Sequence, residues 1–160
     1  MANEAKNKKV VAVMGTSTPS RKLFDMAREV GFLLAKNDIA VVCGGMGGVM
    51  EAVCLGVSSA GGISVGILPS FRDEPNPYVT IPIGTTLGEA RNAVIAAAGS
   101  VAIAIGGGFG TLSEIGLALR MGKTVIGLHT WQAFDPEGLA LPVIYAENPD
   151  DAVKKALSFL

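Results

Sequence analysis

The stretch Val101-Ala102-Ile103-Ala104-Ile105-Gly106-Gly107-Gly108-Phe109-Gly110-Thr111-Leu112-Ser113-Glu114 decides how this chain folds. Its first five residues are a continuous apolar run, too short for a helix and rich in β-branched residues, as in a strand buried on both faces. Glycines end the run, and a helical pattern follows over 111–121. A strand therefore stops in a glycine-rich turn that opens a helix. Glycine lets backbone approach a ligand closely. The first N–H groups of a helix lack internal partners, and the helix dipole favours an anion there. Gly107, Gly108, Phe109, Gly110 and Thr111 are accordingly candidate phosphate-binding residues, and Glu114 is the first candidate for chemistry.

The same unit recurs on either side. Residues 9–14 are an apolar run ended by Gly15-Thr16-Ser17-Thr18-Pro19, and 20–36 carry helical spacing. A strand at 39–43 ends in Gly44-Gly45-Met46-Gly47-Gly48, and an apolar helix occupies 49–60. Further strands are expected at 63–68, 101–105 and 124–128, with an extended piece at 79–83 and an edge strand at 143–145. Helices are expected at 87–98, 111–121 and 150–159. Alternating strands and helices, with strands apolar throughout, indicate an α/β fold: a Rossmann-like, doubly wound, mainly parallel sheet with helices on both faces. The usual winding order puts strand 101–105 beside strand 9–14. The loops 15–19 and 106–111 then flank the topological switch point, where ligands bind.

The 160 residues suit one nucleotide-binding domain, 1–160, with a polar tail over 1–8. A chain of this size buries roughly 70% of its unfolded surface and needs no disulfide or metal staple. Thirteen basic and 14 acidic residues give a net charge of −1, which provides no electrostatic footprint for nucleic acid or an anionic membrane. Mean hydropathy is high, +0.46. The two long uncharged stretches, 52–71 and 92–113, are nevertheless broken by glycines and read as helix–turn–strand. With no apolar leader in 1–9, a cytoplasmic location is expected. Cys43 and Cys54 fit buried free thiols.

The 106–114 run is not the dinucleotide fingerprint, because Thr111 stands where the third glycine belongs. Gly122-Lys123-Thr124 is not a P-loop, because it precedes a strand. For Glu114 two readings stand: a ligand role, or a capping box in which Thr111 is the N-cap and Glu114 reaches back to its N–H. Thr86-Leu87-Gly88-Glu89 reads as a second capping box. Arg91 lies early in the helix 87–98, where the dipole gives a cation nothing, and an antiparallel helix of that length brings it to the same sheet edge as Glu114. Arg91 and Glu114 are the candidate catalytic pair. Gly15 and Ser17 in the first loop, and Gly44, Gly45 and Gly47 in the second, are further candidate contacts to a phosphate or nucleotide. Tight strand-to-helix packing is the competing reading for the second set, and capping of the helix that begins near Ser20 is the competing reading for Ser17. His129 has no partnered acid or cysteine nearby, and no metal-ligand spacing is present, so no metal and no required cofactor are expected.

Gly107-Gly108-Phe109-Gly110-Thr111-Leu112-Ser113-Glu114 resembles the GGxGTxxE motif of the LONELY GUY, or "lysine decarboxylase-like", superfamily. Gly44-Gly45-Met46-Gly47-Gly48-Val49-Met50 is similar to its second glycine motif, and Arg91 falls where the family has an active-site arginine. Gly106 replaces the family's proline, and Asn92 its lysine. Asn76-Pro77-Tyr78-Val79 and Ala90-Arg91-Asn92 resemble a short subgroup that includes molybdenum-cofactor carrier proteins. The resemblance implies a phosphorylated small-molecule ligand and two functions. One is a nucleoside 5′-monophosphate phosphoribohydrolase that releases free base and ribose 5-phosphate. The alternative is a non-catalytic carrier of a phosphorylated heterocycle such as the molybdenum cofactor, a pterin phosphate. It also implies a homodimer or homotetramer, for which the apolar helices 49–60 and 87–98 offer surface. Lysine decarboxylation itself is rejected, because no lysine is placed to hold pyridoxal phosphate at this edge.

Overall fold

A computed structural model describes residues 8–160; most of the polar tail, residues 1–7, lies outside the described residues. Seven strands form one sheet in the order β4-β3-β2-β1-β5-β6-β7. They are β1 (Val10–Gly15), β2 (Ala40–Cys43), β3 (Ser64–Leu68), β4 (Ile81–Gly84), β5 (Val101–Ile105), β6 (Thr124–Leu128) and β7 (Val143–Ala146). Every pairing is parallel. The sheet is thus wholly, not mainly, parallel. The order reverses between β1 and β5, where Val11 is in register with Val101 and Gly15 with Ile105.

The helices are α1 (Arg21–Lys36), α2 (Val49–Ser59), α3 (Arg91–Ala98), α4 (Phe109–Arg120) and α5 (Pro149–Leu157). The strands alternate residue size between faces. Val11, Val13, Ile103 and Ile105 pack with α1, α2 and α5, whereas Ala12, Met14, Ala102 and Ala104 pack with α3 and α4. Strand side chains point to opposite faces in turn, so both layers are buried and the strands read as unbroken apolar runs.

Two helix starts differ from the sequence reading. Gly108, not Thr111, is the N-cap of α4, and the helix begins at Phe109 without a side-chain cap. Glu114 therefore lies beyond the first turn and cannot close a capping box. At the second proposed box, a 3-10 turn over Gly88–Ala90 precedes α3, again with no side-chain cap. Thr85, rather than Thr86, pins this entry: its Oγ1 donates to Leu68 O at 2.7 Å and accepts from Leu87 N. The extended piece begins pairing two residues later than expected. Ser64 and Thr80 exchange side-chain-to-backbone bonds just before Ile81 takes its place beside Val65.

The apolar character of α2 is satisfied within the monomer. Ala52, Val53, Cys54 and Val57 are fully buried, largely under α1. This removes α2 as an argument for oligomerisation. Among the described residues no helix is long and apolar enough to cross a membrane.

Helices α1 and α2 cross at glycines. A Cβ on Gly56 would come within 1.9 Å of Arg28 O, and one on Gly31 within 2.1 Å of Val53 O. Both obstacles are backbone and cannot rotate away. Alanine favours a helix over glycine by about 1 kcal/mol, but forcing helices apart in a packed core costs more, about 1–3 kcal/mol or beyond. Gly56→Ala is therefore expected to lower the urea midpoint; an unchanged or higher midpoint contradicts this packing.

Candidate functional site

A cavity of about 520 Å³ opens at the carboxyl edge of the sheet, beside the β1/β5 switch point. Gly15 and Ser17 line it from the β1 loop, and Gly107, Gly108, Phe109, Gly110 and Thr111 from the β5 turn. Arg91 and Glu114 reach it from α3 and α4. The sequence reading thus assembles one site from three separated segments. Gly44, Gly45 and Gly47 do not line it; from that turn Met46 does, joined by Met50 of α2.

Gly44, Gly45 and Gly48 of the second turn serve packing, whereas a Cβ on Gly47 would meet nothing within 4 Å. A Cβ on Gly44 would meet Arg91 Nη1 at 2.3 Å, and one on Gly48 would meet Ser17 backbone at 2.5 Å. Gly45 and Gly48 also have φ of +70°, a left-handed conformation costly for other residues. Arg91 is buried, and its Nη1 donates to Gly44 O at 2.8 Å and Ile67 O at 2.7 Å. It ties together the ends of β2 and β3. Its Nε remains buried with no partner.

The β5 turn is the opposite: a row of donors without acceptors. Gly106 N bonds to Leu128 O and Leu112 N to Gly108 O. Among the described residues no hydrogen bond engages the N–H groups of the five residues between them, Gly107 to Thr111. Thr111 Oγ1 is also buried and unpartnered. Gly107, Phe109 and Gly110 are exposed, so their N–H groups face solvent and are open to a ligand, whereas an unmade hydrogen bond in a buried place, as at Thr111 Oγ1, costs about 1–3 kcal/mol and calls for an acceptor. An anion with several oxygens at a helix N-terminus supplies it.

Glu114 is buried, 8% exposed, and no hydrogen bond or ion pair among the described residues engages its carboxyl group. Burial pushes its pKa up to about 7; the Arg91 charge opposes this and Glu89 adds to it. The carboxyl is thus divided between acid and carboxylate near neutral pH, the condition for proton transfer at that pH.

Two asparagines that the motifs contain have roles at the site that the sequence did not assign. Asn76 is buried behind the site; its N donates to Gly45 O, its Nδ2 to Met46 O, and its Oδ1 accepts from Tyr78 N. It shapes the Gly44–Gly48 turn from outside. Its signal was the Asn-Pro pair in an otherwise polar loop. Asn92, also buried, lines the cavity beside Arg91. His129 is a loop residue with φ of +50°.

Residues 8–153 match the SLOG cluster4 family. The chain belongs to that family. The LONELY GUY assignment is not confirmed by this match. This SLOG cluster4 protein is 37% identical over 148 residues to an uncharacterised protein of Archaeoglobus fulgidus, an alignment covering 92% of this chain and 94% of the other. Among solved structures it is similar to the molybdenum cofactor binding protein of Rippkaea orientalis, with a TM-score of 0.86 and 32% identity over 96% of this chain and 98% of the other. It is likewise similar to the molybdenum cofactor carrier protein of Chlamydomonas reinhardtii, with a TM-score of 0.83 and 32% identity over 94% and 99% of the two chains. The last two proteins are named for binding or carrying the molybdenum cofactor.

The position of Glu114 has a consequence for stability. A carboxyl raised from 4.5 to about 7 on folding stabilises the fold fully only below pH 4.5. That contribution, on the order of 3 kcal/mol, is lost as pH rises through about 7. Glu114→Gln removes the ionisation. Its melting temperature should exceed the parent's by several degrees at pH 8 but not at pH 5. An equal difference at both pH values contradicts the assignment.

Proposed function

We propose that this SLOG cluster4 protein binds a phosphorylated heterocycle and holds it without cleaving it, as a carrier of the molybdenum cofactor or a closely related pterin phosphate. The observation that carries this reading is the row of unpaired N–H groups from Gly107 to Thr111, with the buried Thr111 Oγ1 beside it. Together they offer more donors than a helix end alone and suit the oxygens of one phosphate. The cavity, lined also by Met46 of the second turn, Met50 of α2 and Phe109, has room for a ring system. The similar solved structures support the carrier reading, since their stated role is to bind or carry this cofactor. Arg91 gives less to the ligand than its type suggests, because two carbonyls hold its Nη1.

One observation favours a second reading. Glu114, poised near neutrality, could orient ribose hydroxyls or activate water in a phosphoribohydrolase, where negative charge near C1′ also stabilises an oxocarbenium-like transition state. The two are separated by what leaves the protein. Under the carrier reading, a pterin monophosphate is recovered intact from the purified protein, and AMP yields no free base. Release of base and ribose 5-phosphate that disappears in Glu114→Gln establishes the enzyme instead.

Glu114 also sets a pH dependence of binding. Its neutral form tolerates a neighbouring phosphate and its carboxylate repels one, so anion binding and protonation of Glu114 support each other. Affinity for the pterin phosphate should fall as pH rises through about 7, by up to about tenfold per pH unit. Calorimetric titration of Glu114→Gln should show a flatter profile. Parallel profiles remove Glu114 from the ligand's surroundings.

A further inference from the structure

The most exposed large apolar side chain at the site is Phe109, at 84%, on the first residue of α4 and on the cavity wall. Its ring stacks against Trp131, with centroids 6.2 Å apart and planes 26° from parallel. The support behind it is built from residues outside the glycine motif. Trp131 Nε1 donates to Gly108 O at 3.1 Å, and Thr130 Oγ1 donates to Gly106 O at 2.5 Å. Tyr145 Oη, from β7, donates to Trp131 O at 2.7 Å. His129 adopts φ of +50° immediately before this pair, a left-handed conformation uncommon outside glycine and, among other residues, taken up most by Asn, Asp and His. A Cβ on Gly107 would lie 3.1 Å from Trp131 Nε1, so the indole fits closely under the turn. The segment after β6 is thus bonded to the glycine turn at two points, and its effect is to fix an aromatic pair beside the unpaired N–H groups.

We infer that Phe109, backed by Trp131, is the stacking platform for the flat conjugated ring of the ligand, while the Gly107–Thr111 N–H groups hold its phosphate. Phe109 then determines specificity for a heterocycle over a bare phosphate and takes no part in anion binding through its side chain. Aromatic faces stack on flat heterocycles with little demand for hydrogen bonding. An exposed phenyl ring beside a phosphate site serves that purpose, whereas a side chain needed only to start a helix would not require a bonded tryptophan behind it.

This inference rests on the binding reading above, and its test separates the two. Trp131 is the only tryptophan in the chain, so its fluorescence reports directly on the platform. The full chain, Phe109→Ala and Phe109→Tyr are titrated with a pterin monophosphate and with inorganic phosphate, by calorimetry and by Trp131 emission. In the parent, the pterin monophosphate is expected to bind and quench Trp131. Phe109→Ala should weaken it about tenfold, the usual scale of base–aromatic stacking, and reduce the quench. Phe109→Tyr should restore both, and inorganic phosphate should bind all three proteins alike. Equal weakening of both ligands in Phe109→Ala, or of neither, overturns the platform, while binding of both ligands by the parent still supports the phosphate site. Failure of the parent to bind either ligand overturns the binding reading and the platform with it.

Discussion

Where the winding of the sheet reverses, between β1 and β5, the chain leaves two adjacent strands toward opposite faces. No crossover can cover the gap between them, and the rest of the site follows from it. The strands themselves close together tightly: a Cβ on Gly15 would sit 2.5 Å from both Ile105 O and Val49 Cγ1. Backbone therefore forms the floor of the crevice, and the turns beyond it are left to present N–H groups. Wholly parallel pairing requires helices on both faces, which brings the starts of α2, α3 and α4 to this one edge. Four of the segments that line the cavity are loops or helix starts of this kind.

The chemistry of the site is accordingly that of the main chain. Its donors are peptide N–H groups and one buried hydroxyl, and its single arginine is largely engaged in joining the ends of β2 and β3. A chain with a net charge of −1 can in this way offer an anion site without a cluster of basic side chains. Two carboxyl groups, Glu89 and Glu114, stand at the same cavity. Burial keeps Glu114 partly neutral, which makes its presence compatible with the phosphate proposed to bind nearby. Under the proposed binding, its burial also ties the fold's stability and the site's affinity to the same proton.

Much of this was legible in the residues. Continuous apolar runs such as 101–105 encode strands buried on both faces, and their alternation with amphipathic segments encodes the winding, so the switch point and the loops around it could be located before any coordinates. Helix starts were less legible. Thr111-Leu112-Ser113-Glu114 satisfies the capping pattern, yet Gly108 can adopt the extended conformation of an N-cap and begins the helix earlier, which leaves Thr111 inside it. The second glycine turn was ambiguous for a related reason: glycine marks close approach, and sequence does not say whether ligand or protein approaches. At Gly44 the approaching group is Arg91, and at Gly48 it is the backbone of Ser17. The Trp131 support was illegible because it joins positions separated by 23 residues through a side-chain bond to a carbonyl. No periodicity records such a contact.

The central claim is that the backbone from Gly107 to Thr111 grips the ligand's phosphate. Amide resonances of the ¹⁵N-labelled protein, followed as a pterin monophosphate is added, test it most directly. The account predicts that the amides of these five residues shift together and farthest, with smaller changes at Ser17 and Glu114. Saturable shifts centred elsewhere, such as along the β4 edge at Ile81–Gly84, with the 107–111 amides unmoved, would contradict it.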